Sequence, residues 1–595
     1  MKLKTVFHCV GYMFKSMWAF NKGLFVGEVL TAVLNGVIAP VNAYLIKILV
    51  DNISAKAFDT SLKIIAAVML VNLLYGLVIS KTKKETGILD DLFRNQLILD
   101  FYSKIADMDY EILYTPDMIQ QKNMALKAIQ SGYAMNYLRI MFSWVSAIIT
   151  FISILYLLTS ISVWVYVLIL ILIAVRIFTV MLDKKRKYRT TEELSRVNTE
   201  INYYMNVLSD EAYVNDIKMF SVSDWILNKY KKCMYSVQSL IRKLSAYVYR
   251  NDIIRDFLSC IETVLPYIYV TVQVIFYGMS FANFTLVTAT LKSLTDSVSG
   301  ITNNMVNMRE NSAYVKNYID FMQVGNKIAV PDKGIAVSEI RSVTPVFEFK
   351  NVGFVYPECE RFTLRNINMK IEPGKFYVMV GENGAGKTTL VRLMCRLYDV
   401  SEGALLYMGT DVKDVEYKSY RNNIGVVFQD YKYYCFSIAE NVAMNDYRDT
   451  PETEERILKA LDEAGLGEKI ASLPKGIHTQ LGKIFDKDGI QLSGGELQKL
   501  ALARVLFKDP SIVILDEPSS ALDAFAEDEL ITTFNSALRG KTVIYISHRL
   551  SVACHADKVI FVKDGEIAGM DLHKALMEKL PDYKEMYETQ AKHYE

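Results

Sequence analysis

Apolar residues in the first half of the chain are gathered into blocks of bilayer length. Five blocks, residues 23–50, 62–80, 138–158, 163–182 and 254–277, approach or exceed the roughly 20 residues a helix needs to cross hydrocarbon. The first contains Pro40. A sixth span is predicted over residues 284–308 although it carries Lys292, Asp296, Asn303, Asn304 and Asn307. A helix that polar crosses lipid only by turning those groups to its neighbours or to a water-filled cavity. The span is kept because an even number of crossings returns the second half of the chain to the side of the N-terminus. Basic loops stay in the cytoplasm. Lys81, Lys83 and Lys84 follow the second span and residues 184–189 follow the fourth, whereas the links at 159–162 and 278–283 are short and uncharged. Both termini are therefore expected to be cytosolic.

Before the first span, Lys2, Lys4, Lys15 and Lys22 alternate with Val6, Phe7, Val10, Phe14, Met17 and Trp18. That pattern predicts a basic amphipathic helix, either lying on the inner membrane surface or serving as the cytosolic lead-in to the first span. It lacks a compact apolar core followed by a small-residue cleavage site, so no removable signal peptide is expected. Between the second and third spans, and between the fourth and fifth, the chain reads as long polar helix that extends the membrane helices into the cytosol. The tips, residues 109–120 and 211–220, are short amphipathic segments suited to docking on another domain. A linker with Pro331, Gly334 and Pro345 follows. From residue 346 short apolar runs such as FYVMV (376–380) and IVIL (512–515) alternate with helical periodicity, the mark of buried parallel strands. The expected division is an elbow at 1–22, a transmembrane domain at 23–322, a linker at 323–345 and a nucleotide-binding domain at 346–595.

Composition agrees with a chain half in lipid and half in water. The 595 residues are 51% hydrophobic and 22% charged, with a mean hydropathy of +0.16, too polar for an all-membrane protein and too apolar for an ordinary soluble enzyme. A formal charge of +1 and the lack of a Lys/Arg-rich tail offer no hold for nucleic acid. Seven scattered cysteines form neither a C-x-x-C pair nor a metal-spaced cluster, so incidental thiols in a reducing compartment are expected.

Chemistry is concentrated in the second half. The run GENGAGKTT (Gly381, Glu382, Asn383, Gly384, Ala385, Gly386, Lys387, Thr388, Thr389) fits G-x-x-x-x-G-K-[ST] between a strand and a helix. Its glycines let backbone N–H groups converge on phosphates at a helix N-terminus. Lys387 would neutralise the β- and γ-phosphates and Thr388 would offer its hydroxyl to Mg²⁺. In SIVILDEPSSALD (511–523) an apolar strand ends in Asp516, placed to hold Mg²⁺, and then Glu517, placed to polarise an attacking water as general base. LSGGE (Leu492, Ser493, Gly494, Gly495, Glu496) precedes a helical run.

Taken in order, these motifs resemble the ATP-binding-cassette family, and the likeness runs over nearly the whole chain: six spans, two cytosolic docking segments and a C-terminal cassette look like an exporter-type half-transporter. The fold so implied is an all-α membrane bundle joined to an α/β P-loop ATPase. The resemblance places Tyr356 against adenine, Gln429 as the sensor of Mg²⁺ and the γ-phosphate, the loop ending at Asp523 across a dimer interface, and His548 as the switch histidine. It implies ATP and Mg²⁺ as cofactors. It also implies a second half-transporter as partner, identical or sister, because ATP is buried between the phosphate loop of one cassette and the signature of another. Two departures stand out. Glu496 occupies a position where glutamine is commonest, and the stretch 479–491 before the signature is longer than usual.

The implied function is ATP-driven export of a peptide, a lipid or an amphipathic small molecule across the cytoplasmic membrane. An importer of the same fold, for example for a metal–chelator complex, and a non-transporting membrane sensor are the alternatives; intact Glu517 and His548 weigh against the sensor. For substrate, Glu28, Arg176 and Glu262 fall within hydrophobic spans and Asp296 on the sixth. Intramembrane charges face a cavity or one another, so they read either as an entry site for cationic or peptide-like cargo or as a structural ion pair.

Overall fold

A computed structural model describes residues 3–158, 184–328, 334–340, 345–357, 359–444, 450–518, 534 and 536–591. The chain divides into two compact units, one formed by Met1–Ala106 with Gln120–Val324 and one by Asp107–Ile119 with Gly325–Glu595.

The first unit is helical: α1 (Leu3–Phe20), α2 (Lys22–Ser54), α3 (Phe58–Asp107), which ends at its border, then, past the short α4 (Tyr110–Leu113), α5 (Pro116–Gln130), α6 (Tyr133–Leu158), α7 (Lys184–Ser209), α8 (Glu211–Met219), α9 (Ser223–Tyr277) and α10 (Phe281–Met322). Among the described residues three helices are long and apolar enough to cross a membrane, namely α2, α3 and α6, and α9 ends in a shorter apolar stretch, Tyr267–Tyr277. The expected fourth span, 163–182, lies outside the described residues. Along α3, Leu62, Met69, Leu70, Leu73 and Leu77 stand exposed. Such a face is costly in water and ordinary in lipid.

Where α2 and α6 meet, Gly36 does what no larger residue could. A Cβ there would lie 2.8 Å from Ile149 Cβ, and the close approach lets the Thr150 hydroxyl donate to the Gly36 carbonyl at 2.9 Å. Helix α10, which carries the expected sixth span over 284–308, packs on both and shows how its polar residues are accommodated. Thr290, Ser297 and Thr302 are buried, and each donates its hydroxyl to the carbonyl four residues earlier at 2.7, 2.8 and 2.9 Å. Asn304 donates to Ser143 on α6. Lys292 and Asp296 are exposed. In α1 the buried stripe is Cys9, Met13 and Met17, spaced four apart, while Phe7 and Trp18 of the expected apolar face lie outward.

The second unit is α/β. A four-stranded antiparallel sheet, in the order β2 (Leu364–Ile371), β1 (Phe347–Phe354), β4 (Glu402–Tyr407), β5 (Thr410–Asp411), accompanies a six-stranded sheet ordered β10 (Glu566–Asp571), β9 (Lys558–Lys563), β3 (Phe376–Val380), β8 (Thr542–Ile546), β7 (Ile512–Asp516), β6 (Ile424–Val427). All of the larger sheet is parallel except edge strand β10. Both faces of its central strands are buried, which is why they read as unbroken apolar runs. Val378, Val513, Leu515, Val543 and Tyr545 point to one core; Tyr377, Met379, Ile512, Ile514, Ile544 and Ile546 point to the other. The helices are α11 (Lys387–Met394), α12 (Tyr417–Asn422), α13 (Ile438–Ala443), α14 (Pro451–Glu463), α15 (Gly467–Ala471), α16 (Gly494–Lys508), α17 (His573–Lys579) and α18 (Pro581–Ala591).

The first tip, up to Ile119, belongs to this second unit. The Asp109 carboxylate accepts from the backbone N–H groups of Lys327 (2.7 Å) and Ile328 (2.8 Å), and Tyr110, on α4, meets Tyr398 edge to face at 5.7 Å. The second tip, in the first unit, leaves Met219 and Phe220 exposed.

Candidate nucleotide site

Strand β3 ends at Val380, and the chain turns sharply before α11. Gly381 (φ 155°) and Gly386 (φ 104°) hold backbone angles that L side chains rarely adopt, and neither has room for a Cβ. One added at Gly381 would sit 2.2 Å from the Val562 carbonyl oxygen, and one at Gly386 would sit 2.6 Å from Leu364 Cδ2. Backbone cannot yield as a side chain can. Gly381→Ala is therefore expected to destabilise the cassette by about 2 kcal/mol or more and to abolish nucleotide binding, measurable by thermal melting and fluorescent-nucleotide titration.

Lys387 opens α11 and is buried, its ammonium donating to the carbonyls of Gly381 (2.8 Å) and Glu382 (2.9 Å). Burial pulls its pKa down, against the pull of the nearby Glu517 and Asp516 carboxylates. Asp516 ends β7 and is only 2% exposed. Its Oδ1 is buried with no hydrogen-bond partner among the described residues, an expensive state for a carboxylate. Burial and then the neighbouring Glu517 raise its pKa to about 6, against Arg392 and Lys387.

Glu517 follows with φ 48°, a left-handed backbone for a non-glycine residue, pinned by its N–H donating to the Ile546 carbonyl at 3.1 Å. Gln429, after β6, donates to its Oε2 at 2.9 Å, and His548 Nε2 pairs with its Oε1. Gln429 and His548, 88 and 31 positions from Glu517 in sequence, thus converge on its carboxylate because β6, β7 and β8 are parallel neighbours and present their C-terminal ends together. The His548 loop is braced from behind by Gln590 of α18, which donates to the His548 carbonyl (2.7 Å) and accepts from the Leu550 N–H (3.0 Å).

Ser493 caps α16, and Glu496 closes a capping box: the Glu496 N–H donates to the Ser493 hydroxyl (3.3 Å), and the Ser493 N–H donates to the Glu496 carboxylate (2.8 Å). Gly494 and Gly495 form the first turn, and the Gly494 carbonyl accepts from the Tyr431 hydroxyl (3.1 Å). Arg504 on the same helix reaches the Asn441 and Lys432 carbonyls, each at 2.8 Å. The segment 479–491 is a loop closed at its base by Gly482 N–H to Ile490 carbonyl (2.8 Å) and Ile490 N–H to Gln480 carbonyl (3.0 Å), with Ile484 and Phe485 exposed at its tip.

Tyr356 bonds through its hydroxyl to Thr389 (3.0 Å) and accepts from Arg392 Nη1 (3.0 Å). Its ring lies edge-on to Phe354 and Tyr398.

Residues 364–520 match the family model described as ABC transporter. By that match, residues 364–520 are an ABC transporter domain. The chain is similar to the subtilin transport ATP-binding protein SpaT of Bacillus subtilis, 32% identical over 392 residues that are 65% of this chain and 62% of SpaT. It is also similar to the nisin transport ATP-binding protein NisT of Lactococcus lactis subsp. lactis, 30% identical over 392 residues, 65% of this chain and 64% of NisT. An ATP-dependent lipid A-core flippase of Hahella chejuensis is 35% identical over 271 residues, 45% of each chain. The match thus spans less than two thirds of the length of these relatives. In structure the chain resembles a bacterial Atm1-family ABC exporter with ATP bound, at a TM-score of 0.81 and 21% identity over 96% of this chain and 98% of that one. The membrane-bundle-plus-cassette fold read from the sequence is the fold found.

Of the remaining expected site residues, Asp523 and Arg176 lie outside the described residues. Glu262 falls on α9 and Asp296 on α10. Glu28, on α2, has Thr86 beside it and Asp90, Arg139 and Lys83 as charged neighbours. Asp90 is buried and pairs with Arg139 at 2.8 Å. The sequence does not mark that pair, because Asp90 lies beyond the second hydrophobic block and Arg139 at the edge of the third, and only folding brings them together. Arg392, Tyr431 and Gln590 were likewise invisible, since no motif marks them and only packing brings them to the site.

Proposed function

We propose that this chain is one half of a dimeric exporter that uses ATP hydrolysis to move a peptide, lipid or amphipathic molecule out across the cytoplasmic membrane. The observation that carries the reading is the Glu517 carboxylate held between Gln429 and His548, one residue from a buried carboxylate oxygen with no partner. The names of SpaT and NisT favour a peptide among the possible cargoes, and that of the lipid A-core flippase keeps a lipid in view.

The residues support a division of labour. Lys387 exchanges its two carbonyl partners for phosphate oxygens, and the amides of Glu382 to Thr389 converge on the same anion at the head of α11. Thr388, Gln429 and Asp516 would hold Mg²⁺, and the bare Oδ1 of Asp516 fits that role; the ion would supply neutralisation of phosphate charge. Glu517 takes a proton from the attacking water. His548 and Gln429 keep the carboxylate aimed while the proton moves. Tyr356 turns its ring to adenine. Ser493, Gly494 and Gly495 of a second copy close the site, with Asp523 at the interface. A homodimer is the simpler assembly because no motif is degenerate.

Both termini and the cassette lie in the cytosol, so inside-out vesicles containing the reconstituted chain expose the ATP site. ATP-dependent uptake of a labelled peptide or lipid into them supports export. Vigorous hydrolysis with no cargo moved, across peptides, lipids and drugs, overturns it. Mass measurement of the detergent-solubilised complex decides between one kind of chain and two.

A further inference from the structure

Glu496 replaces the residue commonest at the end of the signature, and its two carboxylate oxygens are differently engaged. Oε2 accepts the Ser493 N–H at 2.8 Å and completes the capping box. Oε1 faces the ammonium of Lys469 at 3.3 Å, and Lys469 comes from a separate helix, α15. A glutamine could serve the capping bond with its amide oxygen, but it would then turn an NH₂ toward the lysine, donor against donor. The carboxylate and Lys469 belong together chemically.

A negative charge in the first turn of α16 suits the helix dipole. It does not suit the task proposed for this turn, which is to meet the phosphates of a nucleotide held by the opposite chain. Carboxylate and polyphosphate repel, and the repulsion grows as closure expels water between them. Lys469 is the cation that the structure sets against Glu496. It is half-exposed, so its ammonium stays open to solvent while it faces the carboxylate.

We propose that Lys469 is a positioning residue that offsets the Glu496 charge and so allows a carboxylate-bearing signature to accept nucleotide. The inference rests on the ATPase reading above. Glu496 sits below the usual carboxylate range, first through the Ser493 N–H and then aided by Lys469 against partial burial, so it is ionised whenever nucleotide binds at neutral pH.

The test is a double-mutant cycle on the full-length reconstituted protein, with ATP turnover measured against ATP concentration. Lys469→Ala is expected to raise the KM for ATP about fivefold, with kcat changed less, and to lose most of that penalty in concentrated salt. Lys469→Arg keeps the charge and is expected to stay within about twofold of wild type. In the Glu496→Gln background, Lys469→Ala is expected to change KM by less than about twofold relative to Glu496→Gln alone. An equal penalty in both backgrounds, or one indifferent to salt, makes Lys469 a merely structural residue and overturns the inference alone. A wild-type chain that hydrolyses no ATP overturns the ATPase reading, and this inference with it.

Discussion

Glu517→Gln lowers ATP turnover by at least about 100-fold, the scale on which a positioned proton acceptor acts, while nucleotide is still bound. The substitution is close to isosteric. A glutamine carbonyl can still accept from Gln429, which donates at 2.9 Å to the native carboxylate, so the side chain keeps its place. The left-handed backbone at φ 48° is no worse for glutamine than for glutamate. The loss is the carboxylate that would receive a proton from water, together with the acceptor oxygen that faces His548 Nε2. Turnover should fall without a matching fall in affinity, and the variant should accumulate as an ATP-bound closed dimer. Single-turnover hydrolysis and fluorescent-nucleotide titration on one preparation separate the two quantities. Turnover within a few-fold of wild type would sink the role given to Glu517.

Asp516→Asn is expected to cut turnover by a comparable factor and, unlike the first variant, to stabilise the nucleotide-free protein by on the order of 1–2 kcal/mol. The reason is the bare oxygen. Asp516 is 2% exposed, its Oδ1 meets no donor among the described residues, and burial followed by the Glu517 charge raises its pKa from 3.8 to about 6. Between those two values the folded chain holds a proton that the unfolded chain has released. The stability contributed by this group is therefore complete below pH 3.8 and is lost as pH rises through about 6. At neutral pH the wild-type chain carries a desolvated anion, a cost that the cation proposed for this site would offset. Asparagine removes the anion and, with it, the ligand. In EDTA the melting temperature of the variant should exceed that of wild type at pH 7.5, and the gap should narrow as pH falls toward 5. A variant less stable than wild type at every pH would show that Asp516 is held by interactions that outweigh its desolvation.

Legibility differed from element to element for physical reasons. The strand over 376–380 was predicted to the residue, because a strand buried on both faces must be apolar at every position and must stop where the phosphate loop needs glycine. The weak sixth span was read with its difficulty visible. Threonine and serine hydroxyls donating back to carbonyls four residues earlier, which make it tolerable, depend only on helix geometry. The elbow was read as one apolar face, whereas α1 divides its apolar residues between an inner stripe at Cys9, Met13 and Met17 and an outer one including Phe7 and Trp18. A segment that touches both a bundle and its surroundings needs two such stripes, and periodicity alone does not say which is inward.

Local chemistry, written in contiguous residues, is what the chain order reveals without folding: bilayer-length blocks, a glycine loop between strand and helix, a carboxylate pair at a strand end and a capping box at Ser493. These features follow from sterics, transfer energies and backbone hydrogen bonding over a few residues, so neighbours in sequence suffice to express them. Tertiary structure alone decided which distant groups share a charge or a proton. Gln429 and His548 reach Glu517 because parallel strands align their ends, Lys469 meets Glu496 across two helices, and Gln590 braces the histidine loop from the end of the described chain. Electrostatic and hydrogen-bond energies fall off with distance in space and are indifferent to distance along the chain, so only the folded arrangement assigns them.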